Sequence, residues 1–171
     1  MLGAEKWEAL LGTQLDGYWA CRADRTPFEN RQFDCVFAYA AFHHCAIGGR
    51  SEAVLSECLR LLKDGGRLVL LSEPCAPAWA YAWSRRKLNR IRHEAGFAIE
   101  EDVLVPSRLA RWARRHAVSC EVKFDTSWSW REMRFPGVVR NVAVRSLPGL
   151  GWLVPIGAHL TFTKAPAQSR L

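Results

Sequence analysis

Phe33-Asp34-Cys35-Val36-Phe37-Ala38-Tyr39-Ala40-Ala41-Phe42-His43-His44 opens the stretch that decides the fold, and Asp64-Gly65-Gly66-Arg67-Leu68-Val69-Leu70-Leu71-Ser72-Glu73-Pro74 closes it. Cys35 to Tyr39 and Leu68 to Leu71 are continuous apolar runs, the pattern of strands covered on both faces. Between them Ser51 reads as an N-cap with Glu52 in the first turn. Val54, Leu55, Cys58, Leu59, Leu61 and Leu62 then recur at helical spacing. Arg60 and Lys63 suit the negative end of the helix dipole, and Gly65-Gly66 supply a left-handed residue to end the helix. Strand, helix and strand in this order make a βαβ unit, whose strands run parallel in one sheet.

Working outward, the 171 residues suffice for one domain with a genuine core and are too few for two ordinary ones. Hydrophobic residues make up 49% and charged residues 24%, which excludes a disordered chain. The formal charge of +7, mostly arginine, suits phosphates, acidic substrates or anionic lipid, or else simply a solvated basic surface. The six cysteines include no Cys-x-x-Cys, and Cys35, Cys58 and Cys120 fall where buried faces are expected. They read as reduced small hydrophobes, so neither a zinc site nor a disulfide framework is expected. No signal peptide is seen after Met1, and no apolar run reaches the ~20 residues that span a bilayer. Cytoplasmic is the default expectation.

Before the central unit, 4–12 reads as a short helix and Tyr18 to Cys21 as a strand, with a polar loop from Arg22 to Gln32. After it, Cys75 to Trp83 is rich in Ala, Pro and aromatics, and Ser84 to His93 carries Arg85, Arg86, Lys87, Arg90 and Arg92 with no acid among them. Ser107 starts a helix with Leu109, Trp112, Ala113 and His116 facing one way. Val118 to Phe124 reads as a strand. Trp128, Trp130, Phe135 and Pro136 fall in an unassigned segment, Leu147 to Gly157 reads as a hairpin corner, and Ala158 to Lys164 alternates as a final strand.

Phe33 to Ala38 followed by Phe42-His43-His44 resembles the fourth-strand motif of class I S-adenosylmethionine-dependent methyltransferases. Ala23-Asp24-Arg25-Thr26-Pro27-Phe28 looks like that family's loop after the third strand. Leu59 to Leu70 is similar to its following helix, turn and fifth strand. The resemblance covers residues 18–74 best. It implies an α/β, Rossmann-like, mostly parallel sheet with helices on both faces. The expected organisation is a single methyltransferase-like domain over 1–171, with core 18–74, a lid or substrate insertion at about 75–106, and a C-terminal helix and antiparallel strands over 107–164.

The resemblance also implies S-adenosylmethionine as cofactor, with Ala23 and Asp24 near its adenine and Ala38 near its methionine portion. Where the family usually has an Asp that accepts from the adenine amino group, this chain has Arg22, which cannot accept that bond. A shift in the loop would let Asp24 substitute. The family's glycine-rich turn is not found ahead of Tyr18: Gly3, Gly12 and Gly17 are scattered, so the chain reads as lacking the N-terminal glycine-rich portion.

Independently of the family, ligands of open α/β sheets bind beyond the carboxyl ends of the strands. Ala38, Ala40 and Ala41 leave room there for close approach, and Asp34, at the opposite end, reads as structural. His43-His44 reads as a packing and hydrogen-bonding pair at the crevice rim; adjacent residues leaving a strand are expected to point apart, which argues against a shared metal. Glu73 reads equally as facing a substrate or anchoring a loop. The basic run with Trp79, Tyr81 and Trp83 reads foremost as a lid or substrate contact, with nucleic acid or a membrane surface as weaker readings. The expected function is methyl transfer to a small-molecule or lipid-like acceptor, without an assigned catalytic residue. The alternative is a truncated, inactive methyltransferase-like module acting through protein partners, as a homo- or hetero-oligomer.

Overall fold

The structure is a computed structural model that describes residues 19–96, 100–126 and 135–166, together with Gly12 and Gly17. Its strands are β1 (Phe33–Tyr39), β2 (Leu62–Cys75), β3 (Val118–Asp125) and β4 (Ile156–Lys164). Its helices are α1 (Phe42–Cys45), α2 (Ser51–Leu61), α3 (Tyr81–Glu94), α4 (Pro106–Arg115) and α5 (Phe135–Ser146). The sheet order is β1-β2-β4-β3. β1 and β2 pair in parallel across α2, as the βαβ reading requires, and β4 enters between β2 and β3 antiparallel to both. The α/β class stands with a mixed sheet, in which one of the three pairings is parallel.

One apolar cluster joins the sheet to two helices. Leu68 and Leu70 of β2, Leu160 and Phe162 of β4, and partly buried Val36 and Ala38 of β1 meet Val54, Leu55 and Cys58 of α2 and Leu109, Trp112 and Ala113 of α4. Pro106 suits the first turn of α4, where its missing N–H has no intrahelical acceptor to bond. The other face of β1 is open: Phe37 is 59% and Tyr39 58% exposed, and Cys35 is exposed too. The expectation that this strand is covered on both faces, with Cys35 buried, is therefore corrected. Cys58 is buried and Cys120 half-buried, as expected for small hydrophobes.

The ends of α2 differ from expectation. Arg50 holds the cap position and Ser51 is already helical, with no side-chain cap bond. The helix stops because Leu62 turns to extended backbone, at φ −76° and ψ 136°. Gly65 is left-handed at φ 79°, but inside β2. There the register moves from Phe33↔Leu62 to Cys35↔Arg67, so β2 bulges outward before regular pairing begins. Lys63 Nζ lies 2.8 Å from Asp34 Oδ2 and pins this corner, the structural role read for Asp34.

Trp19 to Cys21 form no strand. Trp19 instead meets Phe28 edge-on at 5.0 Å, and Phe28 meets Phe33 at 5.2 Å, so the aromatics serve a surface cluster. Pro148–Trp152 is a 3-10 turn leading from α5 to β4, where a hairpin corner was expected. Gly151 is required in that turn, because a Cβ there would fall 2.2 Å from the Phe124 ring. Tyr18, residues 4–11, Trp128 and Trp130 lie outside the described residues. No helix among the described residues is long and apolar enough to cross a membrane.

Candidate functional site

The carboxyl ends of β1 and β2 both finish in strained backbone. Ala40 has φ 44° and Ser72 φ 53°, values an L-residue adopts at a cost of about 1–2 kcal/mol. Ala40 N–H donates to Leu71 O at 2.8 Å, and Ser72 N–H donates to His159 Nδ1 at 3.0 Å. The β2–β4 register slips between Leu70 and Glu73, a bulge that turns Glu73 inward.

Glu73 is fully buried. Its Oε1 accepts from Ala41 N–H at 3.0 Å and Phe42 N–H at 2.9 Å. Its Oε2 accepts from His43 N–H at 3.1 Å and lies 2.7 Å from His43 Nδ1. The first N–H groups of a helix lack intrahelical acceptors, and a carboxylate both satisfies them and complements the dipole. Of the two roles read for Glu73, loop anchoring is the one the geometry displays. A carboxylate ringed by N–H donors accepts, so the His43–Glu73 bond is donated from Nδ1, and Nε2 is the ring nitrogen that faces Glu101. His43 is itself buried, which agrees with a packing and hydrogen-bonding role.

His43 and His44 do not point apart. The turn of α1 sets their rings 4.1 Å apart, because both residues are helical rather than strand-like. Glu101 faces them, with Oε2 3.7 Å from His43 Nε2 and Oε1 3.9 Å from His44 Nε2. Burial pushes the His44 imidazole below its ordinary range, and neighbouring His43 adds to this. Glu101 stands on a segment bound to the end of β2, where Leu104 N–H donates to Pro74 O and Ala76 N–H to Leu104 O. Asn89 of α3 grips the Glu101 backbone from both sides, accepting from its N–H at 2.7 Å and donating to its carbonyl at 3.0 Å.

Glu101 was not singled out from the sequence. The signal was the acidic Glu100-Glu101-Asp102 following the basic run of Ser84 to His93. Those acids receive that run: Arg92 Nε lies 2.9 Å from Glu101 Oε1, and Arg85 lies 3.0 Å from Glu100. Lys87 sits over the Trp83 ring at 5.1 Å. Arg85 and Arg92 of the basic run are thus paired within the chain.

On the α2 side of β1 an apolar groove of about 370 Å³ is lined by residues including Ala23, Thr26, Phe28, Val36, Ala38 and Phe42. Ala23 and Ala38, both read as cofactor contacts, share this groove, while Asp24 is outside its lining. Asp24 is instead held by the Arg22 fork, at 2.9 Å to Oδ1 and 2.7 Å to Oδ2. The Arg22 hydrogen bond keeps the Asp24 carboxyl below its usual range. The loop is tied to α2 through Glu57, which accepts from the Thr26 N–H at 2.8 Å and hydroxyl at 2.6 Å.

Residues 7–70 match the family profile described as Methyltransferase domain. The chain resembles methyltransferase domains over that segment, which is less than half of its length. A methyltransferase of Encephalitozoon cuniculi is 32% identical over 95 residues, which are 53% of this chain and 39% of that protein. The chain therefore spans well under half the length of that curated relative. Among solved structures, the Haloferax volcanii methyltransferase in complex with the Trm112 activator superposes with a TM-score of 0.56 at 18% identity, over 94% of this chain and 67% of that one. Haemonchus contortus phosphoethanolamine N-methyltransferase 2, in complex with S-adenosyl-L-methionine, gives a TM-score of 0.50 at 14% identity, over 85% of this chain and 36% of that one. At these identities the likeness is one of fold.

Proposed function

We propose that this chain is a class I S-adenosylmethionine-dependent methyltransferase that binds S-adenosylmethionine and transfers its methyl group to a small-molecule or lipid-like acceptor. The observation that carries the reading is the convergence of Ala23 and Ala38 on one apolar groove built within the matched segment. Ala23 and Ala38 would hold the cofactor by allowing close approach of its apolar parts, and Glu73 fixes the turn at the mouth of the strands. The cofactor supplies an electrophilic methyl group when bound. The protein's part in such a displacement is to align the acceptor and exclude water, by proximity and orientation. Exposed Trp79, in the turn before α3, and Trp83, within α3, support a lid over residues 75–106 and favour an apolar or lipid-like acceptor.

The test is calorimetry with S-adenosylmethionine and its demethylated product, alongside Ala38→Leu, whose added side chain fills the groove. Saturable binding that weakens at least ten-fold in A38L supports the reading; no binding at millimolar ligand overturns it for this chain. A second reading, a module acting through protein partners, has its own observation. Among the described residues β1 is an edge strand with Phe37 and Tyr39 exposed, a surface suited to pairing. Sedimentation of the wild type against Phe37→Lys, with a mass above the monomer that falls in the variant, would favour it.

A further inference from the structure

We propose that His43, His44 and Glu101 form a binding site for one divalent transition-metal ion, with Zn²⁺ the best-fitting probe. Their ligand atoms, one from each residue, all lie within 4.8 Å of one another. Two imidazole nitrogens and one carboxylate oxygen suit zinc in a site that keeps a position open. Tetrahedral coordination at the usual bond lengths puts ligand atoms about 3.4 Å apart. The 3.7 Å between His43 Nε2 and Glu101 Oε2 therefore needs to close by only a few tenths of an ångström, and no pair in the set, all within 4.8 Å, by more than about 1.4 Å.

Independent observations point to a cation. Glu101 Oε2 is buried without a hydrogen-bond partner among the described residues, on a side chain only 5% exposed, and the oxygen faces His43 Nε2. A buried carboxylate oxygen left bare is costly, and a bound cation removes that cost. Arg92 takes the other oxygen, Oε1, at 2.9 Å, which leaves Oε2 to coordinate as a single donor. Behind the first ligand stands Glu73, accepting from His43 Nδ1 at 2.7 Å. A carboxylate behind a ligating histidine fixes its tautomer and raises its basicity, the arrangement usual around protein-bound metals. His44, whose side chain is 41% exposed, is the side from which an ion and its remaining water ligand would enter.

The site does not depend on methyl-transfer activity, so it is tested by metal binding alone. The full chain, stripped with chelator, is titrated with Zn²⁺ by calorimetry and with Co²⁺ by absorption spectroscopy. His44→Ala and Glu101→Gln are compared with wild type, and metal-free melting curves and far-ultraviolet circular dichroism check that each variant folds. The expected result is one equivalent bound, visible Co²⁺ bands without thiolate charge transfer, and at least a ten-fold rise in Kd for both variants. Absence of saturable binding up to millimolar metal overturns the site. Unchanged affinity in the two folded variants, or a thiolate signature showing the cysteines to be the ligands, overturns it as well. Should H44A alone fold, its affinity decides.

Discussion

Glu73→Gln isolates what the buried carboxylate does for the mouth of the sheet. The substitution keeps volume and shape but replaces Oε2 by an amide nitrogen. Oriented to preserve Oε1, the glutamine still accepts from Ala41 and Phe42, now without charge assistance, which lowers two bonds by about 0.5–1 kcal/mol each. The amide nitrogen then faces His43 N–H, formerly 3.1 Å from an acceptor, and leaves it orphaned at a cost of about 1–3 kcal/mol. The imidazole can change tautomer and accept from the amide, so its bond is largely recovered. The sum is about 2–5 kcal/mol, which for a chain of this size lowers Tm by about 4–20 °C. Chemical denaturation in chelator, so that no metal contributes, measures the difference directly. A loss under about 0.5 kcal/mol, the usual scale of surface substitutions, would refute the assignment of Glu73 as anchor of α1.

The acid limb of stability should carry the signature of Glu57, whose carboxyl is held down to about 2, first by the Arg60 hydrogen bond and then by Thr26. Because the folded value lies below the unfolded one, the contribution is present at neutral pH and is lost as pH falls from the ordinary carboxylate range of about 4.3 toward 2. Glu57→Gln should flatten that part of the denaturation profile, and an unchanged slope counts against the contact. For the thiols, a disulfide-exchange reagent on native protein should label the exposed Cys21 and Cys35 promptly. Cys58, buried and with its thiol pushed up to about 12, should react only after unfolding, as mass spectrometry of the labelled peptides would show. Equal labelling of Cys35 and Cys58 in the native state would contradict the open face of β1.

What was legible in the sequence is local. The spacing of Val54, Leu55 and Cys58, and Leu68 and Leu70 within their apolar run, report burial against a nearby partner, and all five are buried. The site was legible only in its parts. His43 and Glu73 were noticed, but their bond crosses 30 residues and needs the left-handed Ser72 to aim the carboxylate inward. Glu101 carries no periodic signal, and reaches the histidines because Asn89 and the end of β2 hold its segment. Trp19 misled because aromatic residues signal strands and surface clusters alike, and only Phe28 distinguishes the two. Cys35 and Phe37 misled for a related reason: an apolar run looks the same whether or not its second face is covered.

The position of β4 has a consequence in time. Synthesis reaches the end of β2 at Cys75 long before it reaches Lys164, yet β4 is the strand that fills the gap between β2 and β3. At elongation rates of roughly 5–20 residues per second, β2 waits roughly 5–20 s for that neighbour. During that interval the hydrogen-bonding edge of β2 has no final partner, and the closing contacts join residues such as Ser72 and His159, 87 positions apart. Such non-local closure is slow, and the waiting edge is open to association with other chains. The nascent polypeptide is thus most vulnerable just before β4 leaves the ribosome, so its yield should respond to chaperone supply and growth temperature.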